Sequence, residues 1–231
     1  MEMEAGNSVV LGEWRLLPER VALHQPTGTL VVADLHVGYC RERTLRGDAV
    51  PVPAIDAEMA PLLRAWNREK ARGLVIAGDL VEKSRPDLIQ ALGNWLECSG
   101  IRMEGLVRGN HDGAKSTWDF PILPDGHPVG RHSIWHQYPR ISEPLVHGHE
   151  HPALPLPGLG LVPCFLFSEQ RLILPAYSQD AAGGNIFRRK DIQELRAMRC
   201  VAVAGKRVEE LGTVEEIEKN LLGQRWSRKK R

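Results

Sequence analysis

A chain of 231 residues, 26% charged and 42% hydrophobic, is long enough to bury a substantial core and too apolar to stay disordered. Its formal net charge of +1 points to no partner, so affinity for nucleic acid would have to come from a local patch. The four cysteines, Cys40, Cys98, Cys164 and Cys200, form no Cys-x-x-Cys pair, which argues against a disulfide framework or zinc ribbon and makes a reducing cytoplasm the expected setting.

The stretch Met1 to Val10 lacks a basic segment followed by an apolar one, and no apolar run approaches the ~20 residues that span a bilayer. Neither a secreted nor a membrane-embedded protein is expected. The first clear strand is Thr29 to Leu35, an apolar run that meets a polar residue at Asp34 and suits a strand covered on both faces. Met59, Leu62, Leu63 and Trp66 at helical spacing predict a helix over about Ile55–Ala71, closed by Gly73 just past its end. A second apolar run, Gly73 to Asp79, again ends on Asp. Pro86 opens a helix over about Pro86–Cys98, with Leu88, Leu92, Trp95 and Leu96 as its buried side. The strand-to-loop pattern then repeats from Glu104 to Asn110. Strand, helix, strand, helix, strand argues for a parallel βαβαβ start.

The second half changes character. Ser133–Gln137 and Pro144–Gly148 read as short strands without a full helix between them. Cys164–Phe167 with Arg171–Leu174, and Cys200–Ala204 with Arg207–Leu211, read as hairpins. Thr213 and Glu216 form a capping-box pattern that opens a last short helix. The expected sheet arrangement is mixed, parallel early and antiparallel late. A single domain is expected over residues 1–211, followed over 212–231 by the short helix and a basic tail.

The polar residues at the strand ends form a series: Asp34 and His36, Gly78-Asp79, Gly109-Asn110-His111-Asp112, His136, and Gly148-His149-Glu150-His151. Loops at the carboxyl ends of parallel strands line the ligand crevice of an α/β sheet, so these motifs are expected to converge. Mixed Asp, His and Asn donors suit borderline divalent metals, and there are enough of them for two ions sharing a carboxylate. Each motif alone has a plainer explanation. A single Asp-x-His is commonly a loop with a satisfied histidine, Gly-Asp is ordinary turn chemistry, and surface histidine pairs are frequent. Their order, each directly after an apolar strand, gives the set its weight. His127 and His132 compete with His136 for the single-histidine position; His136 is preferred because it ends a short apolar strand. His147, just before the paired histidines, reads as a residue supporting the ligands or as a packed strand histidine rather than as a ligand.

This series resembles the calcineurin-like metallophosphoesterase superfamily. Within it the chain is similar to the ligase-associated DNA-repair metallophosphoesterases and their archaeal relatives, through Ala33–Tyr39, Val50–Pro53, His147–Pro152, Leu174–Ser178 and Gly183-Gly184. The resemblance implies a four-layer α/β/β/α sandwich of two mixed sheets flanked by helices. It implies one metal held by Asp34, His36, Asp79 and His151 and another by Asp79, Asn110, His136 and His149, with Asp79 bridging. The ions implied are manganese foremost, or iron, cobalt, nickel or zinc. His111 is expected to stand beside the substrate phosphate as a catalytic residue, oriented by Asp112, while a hydroxide bridging the ions attacks phosphorus. There is no Gly-x-Ser-x-Gly and no cysteine in a basic loop to serve as an alternative nucleophile.

The basic clusters Arg188-Arg189-Lys190 and Arg225–Arg231 agree with a DNA substrate, although basic tails are often merely solvated. Arg108, Arg41 and Arg43 are candidate phosphate contacts on the same terms, and Glu82 and Lys83 bear on substrate rather than metal. Three functions are carried forward. The first is a cytoplasmic phosphodiesterase or endonuclease acting on DNA in repair beside a ligase and other repair factors. The second is a phosphohydrolase of a small nucleotide or sugar-lipid ester, and the third is a non-catalytic metal-binding scaffold.

Overall fold

The run Leu30–Ala33 is apolar at every position because both of its faces are covered. In the computed structural model, which describes residues 7–113, 120–181 and 183–228, Leu30 and Val32 face a core shared with helices while Val31 and Ala33 face a second sheet. The side chains of the basic tail from Arg225, and residues 229–231 altogether, lie outside the described residues. The first sheet takes its strands in chain order: β1 (Val9–Leu11), β2 (Trp14–Leu16), β3 (Ala22–His24), β4 (Thr29–Val32), β5 (Gly73–Ala77), β6 (Met103–Val107) and β7 (Ile122–Leu123). The first three pairings are antiparallel and the last three parallel.

The second sheet contains β8 (His127–Val129), β9 (His132–Trp135), β10 (Leu145–His147), β11 (Pro152–Leu156), β12 (Gly160–Ser168), β13 (Arg171–Ile173), β14 (Gly184–Asn185), β15 (Arg199–Ala204) and β16 (Arg207–Thr213). The helices are α1 (Tyr39–Leu45), α2 (Ile55–Glu69), α3 (Pro86–Ser99), α4 (Ile192–Leu195) and α5 (Val214–Arg228). Three buried clusters define four layers. Met59, Leu62, Leu88 and Leu92 of α2 and α3 pack on Leu30, Val32, Leu74 and Ile76. Val31, Ala33, Val75 and Ala77 meet Ile134, Val146, Phe165 and Leu172 between the sheets. Leu195, Val214 and Ile217 of α4 and α5 close the outer face on Leu154, Leu166 and Ile173. The implied sandwich of two mixed sheets between helices is the observed architecture. Among the described residues no helix is long and apolar enough to cross a membrane.

Three local expectations are revised. Helix α2 stops at Lys70, which takes the left-handed conformation (φ 51°) of a C-cap, while Gly73 opens β5. Strands β1 to β3 precede the first strand legible by composition, because three-residue strands carry too few positions for periodicity to show. The second sheet is not simply antiparallel, since β10 pairs in parallel with both β9 and β13. The short irregular connection from β9 to β10 allows this without a crossover helix. The capping box forms as expected: Glu216 Oε2 accepts from Thr213 N–H at 2.8 Å, and Thr213 Oγ1 accepts from Glu216 N–H at 3.3 Å.

Parallel pairing in both sheets sends the carboxyl ends of β4, β5, β6, β9 and β10 to one pole. At the opposite pole, His24 and His132 are buried around Trp14 beside the Glu13 carboxylate. Trp14 Nε1–H donates to His132 Nε2 at 3.3 Å, which leaves the proton of neutral His132 on Nδ1, 3.8 Å from Glu13 Oε2. The trio is therefore an electrostatic clasp between the sheets, held through Trp14 and in the wrong tautomer for a ligand set. Burial lowers the pKa of His24 and pushes that of His132 down to about 4. Unfolded histidines take up protons near pH ~6.5, so stability is full above that pH and falls as pH drops towards 4. Comparing His132→Gln, which keeps an acceptor for Trp14, with the wild type should give a shallower loss of melting temperature between pH 7 and pH 5. Parallel curves would refute the assignment.

Candidate metal centre

Each expected motif lies just beyond a strand end, and the structure brings them together. Asp34 and His36 follow β4, Asp79 follows β5, Asn110 and His111 follow β6, His136 follows β9, and His149 and His151 follow β10. Three overlapping trios have ligand atoms within 4.8 Å of one another: Asp34, His36 and His151; His36, Asp79 and His111; Asp79, His136 and His149. Asp79 Oδ2 lies between them, 3.9 Å from His36 Nε2 and 3.5 Å from His136 Nε2. Of the competing histidines, His132 lies at the far pole and His127 in none of these groups.

The two carboxylates are oriented alike. Asp34 Oδ2 accepts from His149 N–H at 2.8 Å, and Asp79 Oδ1 accepts from His111 N–H at 2.8 Å. In each, the second oxygen is turned inward. Asp34 Oδ1 and both ring nitrogens of His36 are buried without an aligned hydrogen-bond partner, although His36 Nδ1 is 3.0 Å from Glu82 Oε2. The Ala77 carbonyl lies 3.1 Å from His136 Nδ1 and can only accept, so Nδ1 carries the proton and Nε2 a lone pair. That Nε2 faces Asn110 Oδ1 at 3.0 Å, His149 Nδ1 at 3.2 Å and Asp79 Oδ2 at 3.5 Å. Asn110 Oδ1 and Asp79 Oδ2 are acceptors facing that lone pair, an arrangement that repels unless a cation lies among them. The residues present fit a divalent metal.

Burial lowers the pKa of His36 against the pull of Asp79 and Asp34, and burial with neighbouring His136 lowers that of His149. Both are thereby kept in the neutral form that ligates. Asp34, His36, Asp79 and His136 are buried while Asn110 and His149 are exposed, so the group opens to solvent on one side.

Asp112 serves the loops. Its carboxylate accepts from Gly109 N–H (2.8 Å), Asp79 N–H (2.9 Å) and Leu80 N–H (2.9 Å), while burial raises its pKa against these donors. The His111 imidazole is held by Glu82: its Nδ1–H donates to the Glu82 carbonyl at 3.0 Å, and Glu82 Oε2 lies 3.5 Å away. Glu82, expected to bear on substrate alone, is thus built into the centre. Its spacing of three residues after Asp79, on the loop that ends β5, was the available signal. Arg41 and Arg43 pair with Asp87 and Asp48 at 2.7 and 2.8 Å. Arg108 and Lys83 are exposed.

The segments behind the narrower resemblance brace this pole. Tyr177 N–H and Ser178 N–H donate to the carbonyls of Ala33 and Asp34 at 3.0 and 3.2 Å, and Gly184 N–H donates to the His151 carbonyl at 2.7 Å. Tyr177 Oη donates to the Glu58 carbonyl (2.9 Å) and accepts from Leu62 N–H (3.1 Å), tying α2 to the same loop.

No protein-family model matches the chain, and no curated protein matches it. Among solved structures, the crystal structure of the Pseudomonas putida nuclease MPE is similar. It is 23% identical, the match covers 89% of this chain and 100% of that one, and the TM-score is 0.69. At that identity the likeness shows a shared fold.

Two motif glycines are set by close approach. A Cβ on Gly109 would fall 2.1 Å from Asp79 Oδ1, and one on Gly148 would fall 2.4 Å from Ala33 Cβ and 2.6 Å from Asp34 Oδ2. Gly109→Ala should cost about 1–3 kcal/mol, as overpacking does. Gly93→Ala, in α3 with nothing within 4 Å of the added carbon, should stabilise by about 0.5–1 kcal/mol. Urea denaturation of the two variants checks the opposite signs; a neutral Gly109→Ala would show that the loops do not need this contact.

Proposed function

We propose that the protein is a metal-dependent phosphoesterase that cleaves phosphodiester bonds in nucleic acid, DNA foremost. The supporting observation is the convergence of lone pairs around Asp79 Oδ2 at the ends of parallel strands from two sheets. The fold shared with a nuclease agrees with it. The DNA-repair setting and a ligase partner rest on the sequence resemblance alone.

In this reading Asp34, His36, Asp79 and His151 hold one divalent ion, Asp79, Asn110, His136 and His149 hold a second, and Asp79 serves both. The mixed nitrogen and oxygen donors suit manganese, iron, cobalt, nickel or zinc. Bound there, the ions would supply a lowered pKa to water and polarisation of the phosphoryl oxygens. The rim formed by exposed Asn110 and His149 leaves that side open to substrate. His111, half-buried and anchored through Nδ1, keeps Nε2 for the substrate. When protonated there it can stabilise charge on phosphoryl oxygen or give its proton to the leaving oxygen. Asp112 acts through the loop backbone that carries His111 and Asp79.

The test uses metal-free protein, manganese added back, bis(p-nitrophenyl) phosphate, and labelled single-stranded and duplex DNA. Asp79→Ala should abolish hydrolysis of all three. His111→Ala should lower DNA cleavage about 10²–10⁴-fold and act less on the nitrophenyl ester, whose leaving group departs unprotonated. Cleavage of the small diester but of neither DNA would transfer the substrate to a small phosphate ester. Metal uptake without any hydrolysis would return the scaffold.

A further inference from the structure

We propose that Arg171, His147 and Glu150 form a buried relay that holds His149 and His151 in ligand geometry, making Glu150 and Arg171 positioning residues; this rests on the metal-centre reading above. The segment needs holding. His149 and His151 have φ of 70° and 44°, left-handed conformations that are costly for non-glycine residues and persist only where surroundings enforce them. Glu150, between them, turns the other way, with only 12% of its side chain exposed.

The relay runs inward from there. Arg171, on β13 beside β10, donates from Nε to His147 Nε2 at 2.9 Å. Guanidinium only donates, so His147 is neutral at Nε2 and protonated at Nδ1. Nδ1–H donates to the Gly148 carbonyl at 3.0 Å, and Nδ1 also lies 2.8 Å from Glu150 Oε2, a close electrostatic contact without hydrogen-bond alignment. The other carboxylate oxygen is 3.6 Å from Arg189 Nη2, itself held by Asp191 at 2.8 Å. Tyr138 fixes the planes: it stacks on His147 at 5.5 Å and 19°, and the Arg171 guanidinium carbon lies 3.6 Å over its ring.

A buried ion pair bridged by an imidazole of fixed tautomer is an expensive way to gain stability, because desolvation consumes most of the attraction. Its geometric effect is specific. The backbone of the strained segment is pinned at His149 N–H by Asp34 and at the His151 carbonyl by Gly184. The relay fixes the residue between, whose rotation would otherwise swing both imidazoles.

Isothermal titration of Mn²⁺ into metal-free wild type, Glu150→Ala, Glu150→Gln and Arg171→Met tests this, with melting curves of the metal-free proteins alongside. Partners that orient ligands are worth about 10–100-fold in metal affinity, so Glu150→Ala should weaken binding by that factor at a temperature where the variant is fully folded. Glu150→Gln, which keeps an oxygen towards His147, should recover most of it. Arg171→Met should weaken binding in the same direction without touching a ligand. A merely structural pair would lower the melting temperature and leave Mn²⁺ affinity unchanged, and that result in Glu150→Ala and Arg171→Met overturns the relay. If wild type takes up no Mn²⁺, the metal centre itself falls. Should Glu150→Ala not fold, Arg171→Met and Glu150→Gln decide the question between them.

Discussion

The centre depends on carboxylates that divide their oxygens between two tasks. Asp34 gives one oxygen to the His149 amide of the second sheet, and Asp79 gives one to the His111 amide of a neighbouring loop. Asp112 gathers amides from both the Asp79 loop and its own. Hydrogen bonds to charged acceptors contribute about 1.5–3 kcal/mol each, so these few contacts weld loops from two sheets into one rigid floor. They also decide direction: with one oxygen spoken for by an amide, the other can only face inward.

The floor carries strain, and its distribution is informative. Among the described residues, eight non-glycine residues have positive φ, and five of them are Asp34, His36, Asp79, His149 and His151. Scattered loops would place such residues at random tips. Here they fall just past strand ends, and Asp34 and His36, two residues apart, share one group of candidate metal ligands. Glycine at these positions would remove the strain and the candidate ligand together.

How far the sequence could be read follows from the same physics. Asp34 and Asp79 were legible because each closely follows a nearly all-apolar strand, where a polar residue stands out, and Asn110 because the strand-to-loop pattern repeats before it. His136 could be separated from His132 only by its place at the strand's far end, which is also what separates the poles of the sandwich. The β1 to β3 meander and the parallel β9–β10–β13 core were not legible, since short strands show little periodicity and no crossover helix marks the pairing. Glu82 escaped as a structural partner because carboxylates in loops are usually solvated. Its contact with His36 and His111 exists only once the β4, β5 and β6 loops are assembled.

The parallel core of the second sheet explains why two sheets are needed at all. One parallel sheet directs its strand ends along a single edge, and β4, β5 and β6 supply Asp34, His36, Asp79, Asn110 and His111 from that edge. Histidines from the same edge would have to lie side by side with the carboxylates. By pairing β9, β10 and β13 in parallel, the second sheet brings His136, His149 and His151 in from across the inter-sheet core, closing a three-dimensional set of donors. A cation bound there would be liganded by both sheets at once. Its binding free energy adds to folding stability across the layer where Val31, Ala33 and Ala77 meet Ile134 and Val146. With a cation bound, these donors would also tie together the two sheets that carry them.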